Sequence, residues 1–415
     1  MRRTARLALA AALLATAAPL AAQYPTKFNE RITRRPEVRD ALAWTEANFT
    51  AQVREWIHIT EIPAPSKHEE ARAAYVRAEM EKAGLEVTVD SIGNVTGRRR
   101  GTGGGPTVVF AAHLDTVHPA DTDVRVRVHG DTLRAPGVFD NSASVANMLA
   151  VIRALDAAKV RTRGDLVFVA TVQEELGLIG MDWWLARNPR PDMLVAVDGG
   201  LPGVAYGALG IYWSRYHFTG EGSHTVTSAG KPHPARALAD AVRSIYEIRI
   251  PEGRGGAVYN VGMLAGGKVV NAIPEDVSFT MDLRSVNPAL LDSLDAEIDA
   301  RVRAAAEGQR VGWNKEVVQR TRAAGTEEML RPARAHPIVQ TALDAHRFVG
   351  IAGAEAVATG STDANVAVTR GIPAIAVGRA HGGGQHTLGE WAAASTALPA
   401  TKMMLLLAVS LAEPR

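Results

Sequence analysis

The sequence predicts an α/β protein with a mixed, mostly parallel sheet and helices on both faces, into which a ferredoxin-like α+β unit is inserted. Short apolar, β-branched runs alternate with helical stretches over most of the chain, which is typical of such a sheet. Residues from about 210 to 323 instead show the order β-α-β-β-α-β, that of a ferredoxin-like unit. A chain of 415 residues is also long for one simple core, so two domains are expected.

The N-terminal residues 1–22 are predicted to be a secretory signal peptide. Arg2, Arg3 and Arg6 precede an apolar run that ends in small residues near Ala22, the order of an export signal. Residues 1–22 contain these three arginines and no acidic residue, so their removal changes the formal net charge from +2 to −1. We therefore expect an exported protein, periplasmic or secreted, with no membrane anchor after signal removal and no nucleic-acid partner. The absence of cysteine excludes thiolate nucleophiles and thiolate metal ligands.

The first part of the α/β domain is predicted over residues 23–209. Helical periodicity runs from about Ala43 to Gly84, where glycine is a plausible helix end. Strands are predicted over 85–90, 107–112, 165–172 and 193–198, with a helix over 142–158. The inserted unit, predicted over 210–323 and called the lid below, separates this part from a second part over 324–415. That second part contains a strand over 372–377 and a buried helix at Met403–Val409.

Histidines and acids lie where the predicted strands end or a helix begins. The candidates are His113, Asp115, Asp140, Glu174, Glu175 and Asp198, together with His386 in a glycine-rich segment. Ligands of open α/β sheets bind beyond the carboxyl ends of the strands. Imidazole and carboxylate groups suit zinc and similar ions, and a set of this size can hold two ions about 3.5–4 Å apart. The sequence therefore predicts a two-metal site at this edge.

The spacing within the set indicates separate tasks. His113 and Asp115 lie two positions apart and point the same way on a strand, so Asp115 can orient the imidazole. Glu174 and Glu175 are adjacent and point in different directions, so one can bind metal while the other serves as a general base. Each feature alone has a structural explanation, such as surface charge or a helix N-cap for Asp140. Their joint occurrence favours the site.

Six motifs together resemble a known family of two-zinc metallohydrolases: HLDT, GVFDNSAS, QEELGLIG, VDGG, GSTDAN and GGGQHT. This family includes aminoacylase, succinyl-diaminopimelate desuccinylase, acetylornithine deacetylase, peptidase T and the glutamate carboxypeptidase of the carboxypeptidase G type. The resemblance covers nearly the whole chain after the signal segment. It implies a zinc-exopeptidase-like fold and two divalent metal ions, with zinc expected and cobalt or manganese as alternatives.

The resemblance also implies which residues hold the ions. Asp140 would bridge them and would be followed by a non-proline cis peptide bond. The remaining ligands would be His113 and Asp198 for one ion, and Glu175 and His386 for the other. Glu174 would be the general base, and Asp115 would be the partner of His113.

The lid and the GSTDAN motif would supply contacts to the substrate. By resemblance, His224 would stabilise the tetrahedral intermediate, often in the active site of a partner subunit. Asn271 and Arg284 would contact the substrate, since the planar guanidinium of Arg284 suits a carboxylate; a surface ion pair is its alternative role. Gly360 and Ser361 would border the substrate. A homodimer formed through the lid is expected.

The implied reaction is hydrolysis of an amide bond in a small peptide, of the exopeptidase, dipeptidase or tripeptidase type. Glu174 would act as the base toward a water molecule shared by two metal ions. An N-acyl amino-acid deacylase with the same site is the alternative, and both substrate classes would carry a free carboxylate. A relative that binds metal without catalysis is a third reading of the motifs, but Glu174 and all five ligand candidates are present.

Overall fold

The computed structural model of the chain describes residues 24–250 and 256–414, so the predicted signal peptide lies outside the described residues. The first part of the α/β domain contains five helices and eight strands. The helices are α1 (Pro36–Ala47), α2 (Phe49–Thr60), α3 (Glu70–Lys82), α4 (Ala143–Ala157) and α5 (Ile179–Arg187). The strands are β1 (Glu86–Val89), β2 (Val95–Arg99), β3 (Val108–His113), β4 (Arg127–His129), β5 (Thr132–Arg134), β6 (Leu166–Thr171), β7 (Met193–Val197) and β8 (Val204–Ala205).

The lid and the last part of the chain supply the remaining elements. In the lid these are β9 (Gly210–Thr219), β10 (Ser223–His224), α6 (Pro234–Ile245), β11 (Ala257–Gly266), β12 (Ala272–Ile273), β13 (Asp276–Ser285), α7 (Pro288–Gln309) and β14 (Gly312–Thr321). After the lid come α8 (Arg331–Arg334), α9 (Pro337–Phe348), β15 (Ala356–Val357), α10 (Ala364–Thr369), β16 (Ala374–Val377), β17 (His381–Gly383), β18 (Trp391–Ala393) and α11 (Ala397–Leu411).

The α/β domain is built on an eight-stranded mixed sheet with the order β1-β2-β6-β3-β7-β16-β8-β15. Strands β6, β3, β7 and β16 are parallel neighbours, whereas β2 and β8 run against them. Strands β4, β5, β17 and β18 form a separate small sheet. The predicted fold class is confirmed, and the carboxyl ends of the four parallel strands meet at one edge.

Both faces of the central sheet are covered by helices. Along β3, Val108, Phe110 and Ala112 belong to the main core, while Val109 and Ala111 belong to the core on the opposite face. This follows from the alternation of side chains along a strand. Each fully buried large apolar side chain contributes about 1.5–3 kcal/mol to folding.

Helix α11 lies deep in the main core, as predicted for Met403–Val409. It packs against α4, α9 and α1. The window Ala394–Leu411 is long and apolar enough to cross a membrane, but 72% of it is buried within the fold. The buried position gives a sufficient reason for its apolar composition.

The predicted helical stretch from Ala43 to Gly84 is not continuous. Helix α1 already begins at Pro36, and a loop over residues 61–69 separates α2 from α3. Pro63 and Pro65 interrupt the helix here, because proline lacks the backbone N–H that a helix interior needs. The loop contacts the edge where the parallel strands end through Ser66, which donates a hydrogen bond to Asp115.

The lid contains an antiparallel sheet of order β11-β13-β9-β14, with α6 and α7 packed on one face. Side chains of β13 alternate between buried and partly exposed positions. Tyr216 and Phe218 of β9 and Phe279 of β13 pack under the helices. The alternate side chains of these strands therefore point away from the helices, and Ile211, Trp213 and Arg284 among them line a cavity.

Candidate active site

Asp140 lies in a turn that is held from a distant part of the chain. Its peptide bond to Asn141 is cis, as the resemblance implied. The buried carboxylate of Glu390 accepts hydrogen bonds from the backbone N–H groups of Gly137, Phe139 and Asp140, at 3.0, 2.7 and 2.7 Å. Glu390 therefore fixes the turn that carries the Asp140 carboxylate. The sequence reasoning did not identify Glu390, although it lies four residues after His386.

His113 is held between the carboxylate of Asp115 on one ring nitrogen and those of Asp140 and Asp198 on the other. Its Nδ1 lies 3.1 Å from the backbone oxygen and 3.5 Å from Oδ1 of Asp115. Its Nε2 lies 3.2 Å from Asp140 Oδ1 and 3.8 Å from Asp198 Oδ2. Burial lowers the pKa of His113, but surrounding carboxylates, first that of Glu174, outweigh burial and raise the pKa well above its usual value.

Asp115 also fixes the two adjacent glutamates. It is fully buried and accepts hydrogen bonds from the backbone N–H groups of Glu174 and Glu175, at 3.0 and 3.1 Å. The pairing of β3 with β6 places His113 beside Thr171. The segment that carries Glu174 and Glu175 begins just after Thr171 and therefore starts close to His113. One carboxylate thus positions the imidazole and both glutamates.

The second oxygen of Asp140 faces the other histidine. Asp140 Oδ2 lies 3.5 Å from His386 Nε2, and the same nitrogen lies 3.1 Å from Glu175 Oε1. Two groups result, His113 with Asp198 and Glu175 with His386, with Asp140 common to both. The imidazole nitrogens lie between 3.1 and 3.8 Å from the carboxylate oxygens, so this set of donor atoms fits two divalent metal ions. Two sets of side chains have ligand atoms within 4.8 Å of one another: His113, Asp140 and Glu175, and His113, Glu174 and Asp198.

A buried guanidinium balances the acids, and sequence reasoning missed it. Arg379 forms ion pairs with Asp198 and, at 3.2 Å, with Asp140, and it packs over the Phe139 ring at 4.2 Å. Burial would raise the pKa of Asp140, but Arg379 and the two histidines hold it well below its usual range. A possible signal was its position just beyond the strand predicted over 372–377, at the same sheet edge.

Glu174 has the properties of a proton acceptor. Its side chain is buried, and burial raises its pKa well above the usual value, although His113 opposes this. The carboxylates of Asp198 and Asp363 raise the pKa of Glu174 further. Burial also raises the pKa of Asp363 to about 7, although Thr171 donates a hydrogen bond to it. A raised carboxyl pKa suits a general base near neutral pH. Asp363 belongs to the GSTDAN motif, although the resemblance implied no role for it.

The predicted metal ligands, Glu174, Ser361 and Arg284 line a single cavity of about 230 Å³. The lid contributes four of the residues that line this cavity: Ile211, Trp213, Arg284 and Gln319. Arg284 Nε lies 3.0 Å from both carboxylate oxygens of Asp282, which holds the guanidinium in place. Trp213 and Gln319 were missed, because the alternation along β9 and β14 does not tell which face of the lid meets the metal site.

Besides Asp115, which lies against His113, three predicted site residues do not line this cavity. His224 lies on β10, which pairs with β12, and Asn271 immediately precedes β12. Both are exposed, and His224 Nε2 lies 3.3 Å from Asn271 Nδ2. Gly360 packs against the α/β domain, where an added Cβ would lie 3.2 Å from Ala205 Cβ. Within one chain, the structure therefore brings Arg284 and Ser361 to the metal site but not these three residues.

Known proteins are similar to this chain along most of its length. Carboxypeptidase G2 of Pseudomonas sp. (strain RS-16) is 25% identical over 49% of this chain and 49% of its own length. The N-carbamoyl-L-amino acid amidohydrolase of Geobacillus stearothermophilus is 26% identical over 60% of this chain and 71% of its own length. This chain spans under half of the length of three curated relatives, carboxypeptidase G2 among them.

Solved structures agree on the fold. The crystal structure of a tripeptidase from Staphylococcus aureus superposes with a TM-score of 0.73, covering 88% of this chain and 99% of the other at 19% identity. Residues 109–410 match the sequence profile of Peptidase family M20/M25/M40. This match agrees with the predicted class, a metal-dependent hydrolase of peptide or amide bonds. It spans well over half of the sequence, and the chain therefore belongs to Peptidase family M20/M25/M40.

Proposed function

We propose that this protein hydrolyses the amide bond of small peptides with a free carboxylate, as an exopeptidase of the dipeptidase or tripeptidase type. The observation that carries the proposal is the composition of one cavity. It holds two His–carboxylate groups, a buried glutamate outside both groups and a guanidinium from the lid. Its volume of about 230 Å³ suits a small substrate.

Each group has a defined task in this proposal. His113, Asp140 and Asp198 would hold one divalent ion, and Asp140, Glu175 and His386 the other. Such ions polarise a carbonyl oxygen and lower the pKa of water. Glu174 accepts the proton of the attacking water and delivers it to the nitrogen of the leaving amine. Arg284 binds the substrate carboxylate through the part of its guanidinium that faces the cavity.

The function is tested with a panel of substrates. We expect free-amino dipeptides and tripeptides to be cleaved by the protein, the activity to be lost on treatment with a chelator, and zinc, cobalt or manganese to restore it. N-acetyl and N-carbamoyl amino acids are assayed beside them, since one curated relative is an N-carbamoyl-L-amino acid amidohydrolase. If only these compounds are cleaved when metal is restored, the protein is a deacylase and not a peptidase. Two bound metals without any cleavage would favour a non-catalytic binding protein.

We further propose that the lid forms a homodimer. Strand β11 lies at the edge of the lid sheet, and unpaired edges invite pairing with another chain. Large apolar side chains are exposed on it and on the following loop, a patch of the kind that marks an interface. They are Val258, Met263, Leu264, Val269 and Val270. Asn271 follows this loop and contacts His224, so a partner docked here would meet both side chains, which a single chain keeps away from its own cavity.

The dimer predicts different outcomes for the two edges of the lid sheet. Leu264→Asp on β11 should weaken dimerisation by about 3 kcal/mol or more, roughly a hundredfold in the dissociation constant, because it buries an unpaired charge. Val317→Asp on the opposite edge strand β14 is the matched control, since Val317 is similarly exposed (54% against 64%). Sedimentation analysis of both variants checks this. A dimer that survives in Leu264→Asp but not in Val317→Asp would place the interface elsewhere.

Export to the periplasm or beyond the cell is also a proposal. It is supported by the charge and apolar order of residues 1–22. An exported peptidase would act on peptides outside the cytoplasm. Comparison of activity in cytoplasmic and exported fractions, with the chain expressed with and without residues 1–22, tests this.

A further inference from the structure

A second and larger cavity, of about 470 Å³, lies next to the active site. It is enclosed by α5 and α10 of the α/β domain and by the end of β14, where the lid returns to that domain. None of the five predicted metal ligands lines it. It shares only Gly177 and Leu178 with the active-site cavity, and an added Cβ on Gly177 would lie 3.0 Å from the Gln319 side chain. A thin wall therefore separates the two cavities.

The charged lining of this cavity is mainly basic. Its lining contains three arginines and a single acid: Arg320, Arg322, Arg370 and Asp182. Arg370 pairs with Asp182, and Arg320 pairs with Asp295 at 2.7 Å. Over residues 24–250 and 256–414, no ion pair or side-chain hydrogen bond involves Arg322. One guanidinium at the rim is thus available for an anionic group.

Trp183 adds a flat apolar surface. Its Nε1 is buried and makes no hydrogen bond within the described part of the chain, although Trp183 lines the cavity. The guanidinium of Arg187 stacks over the indole at 3.3 Å, which brings a further positive charge. Leu178, Ile179 and Val366 complete the apolar wall. A cationic rim beside an aromatic and aliphatic wall suits a small organic anion.

The position of the cavity connects it to catalysis. The N–H groups of Gly177 and Leu178 donate hydrogen bonds to the backbone oxygen of Glu174, at 3.0 and 2.8 Å. Leu178 has a left-handed backbone conformation, with φ of 64°. A ligand that contacts this turn and Arg322 would touch both the segment that carries Glu174 and the return strand of the lid.

We propose that this cavity is a second binding site, for the carboxylate or phosphate group of a small molecule, and that its occupancy is coupled to the active site through the Gly177–Leu178 turn. The anionic group can come from two sources. It is either the distal end of a longer substrate or a separate small anion. The first source rests on the proposed function, whereas binding of a separate anion does not.

Arg322→Glu tests the site, with Arg54→Glu as the matched control. Both arginines are exposed, but Arg54 lies on α2, which packs on α4 at the face of the sheet opposite α5 and α10. In a first arm, inorganic phosphate is titrated calorimetrically into the metal-loaded wild type and both variants. Phosphate bound at the metal ions is common to all three proteins, so the difference reports on the cavity. Binding at the cavity should weaken roughly tenfold or more in Arg322→Glu alone.

In a second arm, kcat/KM is measured for dipeptides and for tripeptides and tetrapeptides with an acidic residue at either end. A selective loss of roughly tenfold or more for acidic longer peptides in Arg322→Glu supports the cavity as the site of the distal end of the substrate. If Arg322→Glu matches Arg54→Glu in both arms, the proposed site is overturned. A protein that hydrolyses none of the peptides, yet binds phosphate through Arg322, would overturn the peptidase function and keep the second site.

Discussion

Replacing Glu174 by glutamine is expected to lower kcat by about 10²–10⁴-fold, the usual contribution of a general base, while the protein keeps both metal ions. The glutamine has nearly the same shape but cannot accept the proton from water. Glu174 lies in the cavity beside His113 and Asp198, but the two groups that share Asp140 are complete without it. Steady-state kinetics with the best substrate of the panel, together with elemental analysis of bound metal, measures both quantities.

Glu55→Gln is the matched control for this substitution. Glu55 is a mostly buried glutamate of α2 that pairs with Arg153, and it lies outside the cavity. We expect it to leave kcat within about twofold, since it changes neither the base nor the ligands. If Glu174→Gln lost metal and activity together, Glu174 would be a ligand, and the assignment of base and ligand within the glutamate pair would be wrong.

Replacing Arg379 by methionine is expected to destabilise the metal-free protein by about 3–5 kcal/mol, the usual effect of removing one partner of a buried ion pair. The guanidinium is fully buried and pairs with both Asp140 and Asp198. Without it, two buried carboxylates lose their fixed positive charge. Metal ions bound to these carboxylates supply positive charge, so the loss should be smaller in the metal-loaded protein. Urea unfolding with chelator and with excess zinc measures the difference.

Arg39→Met provides the comparison for this effect. Arg39 forms an exposed pair with Asp40 at 3.2 Å, and exposed pairs contribute about 0–1 kcal/mol. We expect its free energy of unfolding to stay near the wild-type value, with or without zinc. An equal loss of stability for Arg379→Met in chelator and in zinc would contradict the idea that Arg379 and the metal ions balance the same carboxylates.

Much of the site was predictable because its signals are local. His113 and Asp115 follow a buried strand, and alternation alone indicates that both point the same way. Glu174 and Glu175 follow the next strand of the sheet in the same manner. The order of elements in the lid likewise shows directly in the pattern of apolar residues. These features depend on neighbours within a few residues, which the sequence displays.

The partners of these residues depend on contacts between distant parts of the chain. Glu390 binds the turn of Asp140 across 250 residues, and Arg379 pairs with Asp198 across 181 residues. No periodicity indicates such a pairing, because it follows from the neighbours of β16 in the sheet and from the path of the chain after it. Periodicity likewise does not show that Trp213 and Gln319 reach the cavity. They do so because the lid helices cover one face of the lid sheet and leave the other face toward the cavity.

The sequence by itself thus determined the fold class, the strand ends that carry the histidines and acids, and the type of chemistry that such a donor set suits. The tertiary structure decided which residues hold those groups in place, which lid residues reach the cavity, and that His224 and Asn271 lie outside it. The physical reason is the distance along the sequence over which each feature is determined. The direction of a side chain along a strand is set by backbone geometry within a few residues. The cavity walls and the buried counter-charge are instead set by the packing of elements that lie far apart in the sequence, as Glu390 and Asp140 do at 250 residues.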